Sequence, residues 1–267
     1  MIDYAIFYGL EFNPFHKNSK EILVETAEMT EATIRLHYLE KANGIGILTG
    51  ESGRGKTTVT RSWASSLNPA LFLVCYISLS TLTVMDFYRQ IAIGLGLEPG
   101  FRKNDLFNDI QREIRRYALE KRIVPVIIID EANLLNHKIL SDLQILFNFE
   151  MDSRDLAIVL LVGQPRLNTT LNQSVHESLR QRIIMNYHMG RISKEEGRSY
   201  ILKKLEGAGC HQVVFDESAM ESILNFANGT ARMINKICDR SLLIGATQSK
   251  KIIDSDTIQK AAEDIQL

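Results

Sequence analysis

The residues of this chain that most clearly indicate chemistry form an octapeptide with the spacing of a phosphate-binding loop. Residues 50–57, Gly-Glu-Ser-Gly-Arg-Gly-Lys-Thr, match GxxxxGK[ST] at every fixed position, between an apolar segment and a segment of helical composition. Glycines let backbone N–H groups approach a phosphate closely, and the start of a helix adds a positive dipole end. A glycine-rich turn that binds nothing would not need both the motif and its context. The predicted ATP-binding residues of this loop are Gly50, Glu51, Ser52, Gly53, Arg54, Gly55, Lys56, Thr57 and Thr58.

Two consecutive carboxylates, Asp130 and Glu131, end another apolar segment, Val126-Ile-Ile-Ile. Ligands of open α/β sheets bind at the carboxyl ends of the strands. We predict that Asp130 and the Thr57 hydroxyl hold Mg²⁺, and that Glu131 polarises the attacking water. Lys56 would contact the β and γ phosphates. An isolated Asp-Glu pair is more often a turn or a helix cap, but the phosphate loop upstream favours catalysis, and Glu131 favours ATP hydrolysis over phosphoryl transfer to a small molecule.

Further polar residues stand where they would complete an ATPase site. Gln164 comes after the apolar segment 156–162, where its amide would lie beside the attacking water, although ordinary loop chemistry explains it equally well. Arg180 and Arg182 precede the next apolar segment and are either a solvated pair or an arginine finger for a neighbouring subunit's γ phosphate. Arg232 opens a predicted helix and would fold back over the nucleotide. Taken singly, each arginine fits a surface position better.

Apolar, β-branched segments alternate with helical patterns up to residue 190, which predicts a parallel sheet covered by helices on both faces. The predicted strands are Ile45–Thr49, Leu71–Ile77, Val124–Ile129, Ile158–Val162 and Ile183–Tyr187. Beyond Met189 only helical patterns remain, at residues 193–208, 216–227, 231–247 and 254–265, and two of them begin at the N-cap residues Asp216 and Asp254. We therefore predict an α/β P-loop NTPase core over residues 1–190 and a C-terminal α-helical lid domain over residues 191–267.

The order of these features resembles the AAA+ family. The phosphate loop, the Asp-Glu strand and the polar strand end are succeeded by Leu-Arg-Gln-Arg-Ile at 179–183 and Gly-Thr-Ala-Arg at 229–232. Tyr-Gly-Leu-Glu-Phe-Asn-Pro-Phe at 8–15 resembles the opening of the branch that contains the ExeA-like ATPases and the transposition regulators MuB, TnsC and TniB. Residues 232–240 resemble the lid helix of that branch, so the resemblance covers nearly the whole chain.

The resemblance also implies a role for individual residues and places residues 13–15 near the adenine. The implied roles are Walker B pair for Asp130 and Glu131, sensor 1 for Gln164, arginine finger for Arg182 or Arg180, and sensor 2 for Arg232.

Members of this branch differ in the segments that come after the lid helix. ExeA-like secretion ATPases continue into a membrane segment and a cell-wall-binding part, whereas this sequence ends with the predicted lid helix. The resemblance therefore favours an ATP-dependent transposition regulator that forms a homo-oligomeric ring or filament on double-stranded DNA and recruits or activates a transposase. The alternative is a nucleotide-switched protein-interaction or secretion-type ATPase that does not bind DNA. A nucleotide or metabolite kinase is disfavoured by Glu131 and by the helical lid.

One local feature supports the DNA hypothesis, namely a basic stripe on the predicted helix 104–122. Basic residues outnumber acidic ones over residues 101–122, and they fall opposite an apolar face made by Leu106, Ile110, Ile114 and Tyr117. Such a stripe would neutralise backbone phosphates regardless of base sequence. A solvated helix face with intrahelical ion pairs explains it equally well. The candidate DNA-binding residues are Arg102, Lys103, Arg112, Arg115 and Arg116.

The composition of the chain sets the remaining limits. The net charge of −1 over 267 residues gives no global support for nucleic-acid binding. Cys75, Cys210 and Cys238 are far apart and lack a CxxC motif, which indicates neither disulfides nor a zinc site but buried thiols in a reducing compartment. No apolar segment approaches the length of a membrane span. We therefore expect a cytoplasmic protein without membrane contact.

Overall fold

The computed structural model describes residues 4–78, 83–149 and 154–265. The chain divides into two compact units. The α/β unit consists of Glu31–Ser52 and Lys56–Met189. The helical unit consists of Met1–Thr30, Gly53–Gly55 and Gly190–Leu267, so it includes the tip of the phosphate loop. The helices of the described residues are α1 (Tyr4–Phe7), α2 (Ala27–Ala42), α3 (Lys56–Ser66), α4 (Val84–Gly94), α5 (Lys103–Arg115), α6 (His137–Leu146), α7 (Arg166–Leu171), α8 (Glu177–Gln181), α9 (Lys194–Gly207), α10 (Glu217–Ala227), α11 (Ala231–Thr247) and α12 (Ser255–Ile265).

A five-stranded parallel sheet forms the centre of the α/β unit. Its order is β2-β3-β4-β1-β5, so the strand that leads into the phosphate loop lies between β4 and β5. The predicted α/β fold with a parallel sheet is confirmed, because runs of β-branched residues between turn signals favour strands that are buried on both faces. The strands are β1 (Gly44–Gly50), β2 (Phe72–Ile77), β3 (Val124–Ile129), β4 (Ile158–Gly163) and β5 (Ile183–Met189).

One face of the sheet packs against the α4, α5 and α6 helices to form the main apolar core. Ile47, Ile127 and Val159 of the sheet are almost fully buried there, together with Ile91 and Ile110 of the covering helices. Burying such side chains stabilises the fold by about 1.5–3 kcal/mol each relative to leaving them in water. The sheet is thereby a rigid support for the loops at the carboxyl ends of its strands.

The predicted helix over residues 104–122 differs from the structure in its last turns. The α-helical part is Lys103–Arg115, and a π-helical segment, Arg116–Lys121, comes next before Arg122 takes a left-handed conformation with φ of 58°. Leu106, Ile110 and Ile114 are buried, as the predicted apolar face requires. Periodicity identifies the buried face, but it does not distinguish an α-turn from a π-turn at the end of a helix.

The helical unit is built from residues 4–30 and the helices α9 to α12. Asp216 accepts a hydrogen bond from the Ala219 N–H at 2.7 Å, which confirms its predicted N-cap position. Asp254 likewise accepts from the Thr257 N–H at 3.0 Å. The sequence assigned residues 1–190 to one domain, whereas the structure groups residues 1–30 with the helical unit. The reason is the burial of apolar residues of this segment, among them Tyr8, in the apolar core of the helical unit.

In the part of the chain that the structure describes, no helix has the length and apolar character to cross a membrane.

Candidate ATPase site

The phosphate loop connects β1 to α3 and folds around the ammonium group of its lysine. The Lys56 Nζ donates to the carbonyl oxygen of Gly50 at 2.8 Å and to that of Glu51 at 3.0 Å, and only 8% of Lys56 is exposed. Gly50 ends β1 where a side chain has no room, because a Cβ there would lie 2.9 Å from the carbonyl oxygen of Met189. Within the α/β unit, the strand end and the first turn of α3 thus hold a buried cation at the start of the helix, which is a favourable place for a phosphate.

The tip of the loop contains two glycines in a backbone conformation that strongly favours glycine. Gly53 and Gly55 have φ of 80° and 99°, in the left-handed region that L side chains rarely adopt. The guanidinium of Arg54 is largely buried and donates to the carbonyl oxygens of Asn228, at 3.4 Å, and Gly229. These carbonyl oxygens hold the Arg54 side chain in place, and the predicted contact of Arg54 with a nucleotide stays a prediction.

Arg232, the predicted sensor 2 residue, lies in the first turn of α11 beside the loop tip. Its backbone N–H donates to the carbonyl oxygen of Gly53 at 3.3 Å, and a Cβ on Gly53 would lie 2.7 Å from the Cβ of Arg232. The side chain of Arg232 is exposed. The backbone of Arg232 is therefore placed at the tip of the phosphate loop, and its contact with a nucleotide remains a prediction.

Asp130 comes directly after β3, and its carboxylate is held by several donors. Its Oδ2 accepts from the Thr57 Oγ1 at 3.3 Å and from the Tyr76 Oη at 2.8 Å, while its Oδ1 accepts from the backbone N–H of Glu131 at 2.9 Å. Asp130 is 9% exposed. The two predicted Mg²⁺ ligands thus meet, although they are 73 residues apart in the sequence.

The side-chain oxygens of Thr57 and Asp130 are of the kind that binds a magnesium ion. Mg²⁺ prefers oxygen ligands and is usually bound by one or two protein groups together with phosphate oxygens and water. Thr57, in the first turn of the helix after the phosphate loop, supplies a hydroxyl oxygen. Asp130 supplies a carboxylate oxygen in hydrogen-bonding contact with it.

Glu131 is placed differently from Asp130. Its backbone is left-handed, with φ of 51°, and its side chain is exposed at the start of a short 3-10 turn, Ala132–Leu134. Non-glycine residues in this conformation are uncommon and concentrate at functional sites. Glu131 therefore presents a carboxylate that is accessible to water, directly after the buried Asp130.

Gln164, the predicted sensor 1 residue, comes directly after β4 and is exposed. Its backbone N–H donates to the Oδ1 of Asn133 at 2.8 Å. A Cβ on Gly163 would also lie 2.8 Å from that oxygen, so glycine is required at the end of β4. Asn133 therefore ties the turn after β3 to the end of β4. Sequence reasoning did not identify Asn133, and its only signal was its position two residues after the Asp-Glu pair.

Tyr76 is the second residue of the site that sequence reasoning missed. Partial burial of the phenol raises the pKa of Tyr76 to about 12, and the hydrogen bond to Asp130 and the negative charges of Asp130 and Glu131 act in the same direction. The phenol thus remains a hydrogen-bond donor at neutral pH. The only signal in the sequence was its place near the end of the apolar segment that precedes the Asp-Glu strand.

The two candidate arginine fingers have different environments. The guanidinium of Arg182 donates to the carbonyl oxygens of Gln144 and Phe147, at 2.7 and 2.8 Å, and its side chain is only 14% exposed. These carbonyls lie at the end of α6, so Arg182 satisfies acceptors that the helix leaves unpaired. Arg180 is exposed and donates to the carbonyl oxygen of Asn172 at 3.2 Å. Arg180 is therefore the better candidate for a residue that reaches another subunit.

We expect Arg182→Ala to lower the free energy of unfolding by about 1–3 kcal/mol, because it leaves carbonyl oxygens at the end of α6 without their donor. Arg180→Ala, the matched control on an exposed helix, should change it by less than about 0.5 kcal/mol. Urea unfolding monitored by circular dichroism measures both values. Equal values for the two variants would contradict the structural role of Arg182.

Four of the five residues of the predicted basic stripe have partners within the α/β unit. The Lys103 Nζ lies 2.7 Å from a carboxylate oxygen of Asp142. Arg112 pairs with Asp109 at 2.5 Å, and Arg116 pairs with Glu113. Arg115 lies over the ring of Phe149, and Arg102 is exposed at the start of α5. Arg112 and Arg116 thus form the intrahelical ion pairs that are expected if this stripe is a solvated helix face.

The order of the sheet, the phosphate loop between β1 and α3 and the acidic pair after β3 are arranged as in an AAA fold. Residues 39–171 match the family model described as an AAA domain, and this range contains β1 to β4, the phosphate loop and the acidic pair. The fold of the α/β unit is therefore that of an AAA domain.

A curated relative extends the likeness to almost the whole chain. General secretion pathway protein A of Aeromonas hydrophila is 34% identical over 269 residues, which cover 97% of this chain and 48% of that protein. The chain thus spans about half the length of the curated relative that it matches.

Solved structures share the fold at low sequence identity. Cdc6p from Pyrobaculum aerophilum superposes with a TM-score of 0.68 at 16% identity, covering 94% of this chain and 70% of that one. The Aeropyrum pernix ORC1 protein in complex with DNA gives 0.66 at 18%, covering 92% and 67%. The RuvB Holliday junction branch migration motor of Thermotoga maritima gives 0.61 at 19%, covering 91% and 70%. At these identities the likeness shows the fold alone.

Proposed function

We propose that this chain is a magnesium-dependent ATPase whose nucleotide state controls its binding to a protein partner. The observation that carries the enzymatic part is the contact between the Thr57 hydroxyl and the Asp130 carboxylate, at 3.3 Å, beside a phosphate loop that holds a buried lysine. This contact brings a metal-ligand pair to the start of a helix that would receive the phosphates.

Each of these residues then has a distinct task. Backbone N–H groups of residues 50–58 bind the phosphates, and Lys56 supplies a positive charge next to them. Thr57 and Asp130 hold Mg²⁺, which when bound would neutralise charge that develops on the phosphate oxygens. Glu131, exposed after β3, accepts a proton from the attacking water. Gln164, at the end of the neighbouring strand β4, orients that water.

The partner class is inferred from the curated relative. That relative is named for the general secretion pathway, and its 34% identity over 97% of this chain is a closer likeness than the 16–19% identity of the solved structures, among them the complex with DNA. The near-neutral charge of the chain and the ion pairs of Lys103, Arg112 and Arg116 also weaken the case for a DNA-binding surface. A secretion-type, protein-directed ATPase therefore replaces the transposition regulator as the better hypothesis.

The active form proposed here is a homo-oligomer. An AAA+ site that uses Arg180 as its finger is complete only when a second copy supplies that arginine. The exposure of Arg180 is compatible with this role. Whether the assembly is a ring or a filament does not affect the experiment that separates the two candidate functions.

That experiment measures binding to duplex DNA of arbitrary sequence by fluorescence anisotropy at several salt concentrations, with a non-hydrolysable ATP analogue, with ADP and without nucleotide. A protein-directed ATPase should show no nucleotide-dependent binding to DNA, and DNA should not change its rate of ATP hydrolysis. The replacement of Lys103, Arg112 and Arg116 together by alanine is the matched variant. ATP-dependent binding whose salt dependence flattens in that variant would restore the transposition hypothesis, because each lost phosphate contact lowers the slope by about 0.9.

A further inference from the structure

The register of the sheet places a tyrosine next to the metal-binding carboxylate. Tyr76 of β2 pairs with Ile128 of β3, and the backbone N–H of Asp130 donates to the carbonyl oxygen of Ile77 at 3.0 Å. Paired residues of neighbouring strands face the same side of a sheet, and so do residues two positions apart on one strand. The side chains of Tyr76 and Asp130 therefore share a face, one strand apart.

The contact between them is a short hydrogen bond to a specific oxygen. The Tyr76 Oη donates to the Oδ2 of Asp130 at 2.8 Å, and this is the same oxygen that accepts from the Thr57 Oγ1 at 3.3 Å. The other oxygen, Oδ1, accepts from the Glu131 N–H at 2.9 Å. Donors at both oxygens fix the rotation of the carboxylate about its terminal bond, and Tyr76 makes the shortest of these three hydrogen bonds.

Packing does not account for a tyrosine at this position. Tyr76 is 53% exposed on an edge strand, and its neighbour on the same face, Val74, is 37% exposed. A phenylalanine would fill the same space. Packing therefore does not explain the hydroxyl group of Tyr76. Its hydrogen bond to Asp130 does.

We propose that Tyr76 is a positioning residue that holds the Asp130 carboxylate in the orientation needed to bind Mg²⁺. The proposal rests on the proposed ATPase function and adds a residue of β2 to its site. Hydrogen bonds to metal-binding carboxylates orient them before the metal arrives, and their removal typically costs roughly 10–100-fold in metal affinity or activity. Tyr76 itself touches neither nucleotide nor metal in this role.

The test is Tyr76→Phe, which removes one oxygen and leaves the ring. The matched control is Tyr38→Phe on α2, where the tyrosine is 56% exposed. Binding of a fluorescent, non-hydrolysable ATP analogue is titrated with Mg²⁺, and ATP turnover is measured over the same range. We expect Tyr76→Phe to need about 10-fold more Mg²⁺ or more for half-maximal binding and turnover. Binding without Mg²⁺ and turnover at saturating Mg²⁺ should stay close to wild type.

The outcomes separate this proposal from the function on which it rests. If the wild type shows Mg²⁺-dependent binding and turnover but Tyr76→Phe has the same Mg²⁺ dependence, the positioning role is wrong and the ATPase function stands. A Tyr76→Phe variant that also loses binding without Mg²⁺ would overturn the proposal, because the effect would then be a general structural one. A wild type that neither binds the analogue nor hydrolyses ATP would overturn both.

Discussion

Lys56→Ala should abolish nucleotide binding, with an affinity for ATP on the order of 100-fold lower or worse. The Lys56 ammonium is held at the start of α3 by two carbonyl oxygens, so it is fixed in place before a phosphate arrives. Hydrogen bonds that involve a charged group contribute about 1.5–3 kcal/mol each, and the loss of more than one corresponds to that factor. Equilibrium titration with a fluorescent ATP analogue measures the affinity.

The control for this variant is Lys41→Ala, which removes an exposed lysine at the end of α2. Lys56→Ala removes the Nζ that donates to the carbonyl oxygens of Gly50 and Glu51, so we also expect its free energy of unfolding to fall by about 1–2 kcal/mol. Binding is therefore compared at a temperature at which circular dichroism shows both variants folded. Nearly normal affinity and turnover in folded Lys56→Ala would remove residues 50–57 from the site.

Glu131→Gln should retain nucleotide binding and lose most of its hydrolysis, by about 10²- to 10⁴-fold in turnover. The amide has the shape of the carboxylate but cannot accept a proton from water. Glu131 is exposed in a short turn, so the substitution should leave stability almost unchanged. Phosphate release under saturating ATP measures the turnover, and Glu120→Gln, on another exposed glutamate, is the control. Undiminished turnover in Glu131→Gln would assign the role of the base to another residue.

The parts of this site that depend on local sequence were predictable. A phosphate loop needs glycine at fixed positions, a lysine and a hydroxyl residue, and the left-handed conformation of Gly55 shows the physical reason for one of those positions. The strands were predictable for a similar reason, since β-branched runs such as Val124–Ile129 are typical of strands buried inside a parallel sheet.

Contacts that depend on which strands are neighbours were not predictable. Tyr76 reaches Asp130 because β2 lies beside β3, and Asn133 reaches Gln164 because β3 lies beside β4. The periodicity of a single strand predicts neither the order of the strands nor their register. A tyrosine at the end of an apolar segment therefore looks like any other core or edge residue until the sheet is assembled.

Long-range packing also explains two features that the sequence left open or placed differently. Arg182 and Arg180 are equivalent by position in the sequence, but only Arg182 lies within reach of the carbonyl oxygens at the end of α6. Residues 1–30 precede the α/β unit in the chain, yet Tyr8 and Phe15 are buried in the core of the helical unit. The expected position of residues 13–15 near an adenine stays a prediction.

The central claim is that one site binds ATP through the phosphate loop and hydrolyses it through Glu131. The most direct measurement identifies the nucleotide that remains on the protein after incubation with Mg²⁺ and α-labelled ATP, separation from free nucleotide and chromatography of the bound fraction. Wild type should retain mainly ADP, Glu131→Gln mainly ATP, and Lys56→Ala neither. The same ratio of ATP to ADP on wild type and Glu131→Gln, or equal amounts of nucleotide on wild type and Lys56→Ala, would contradict the account.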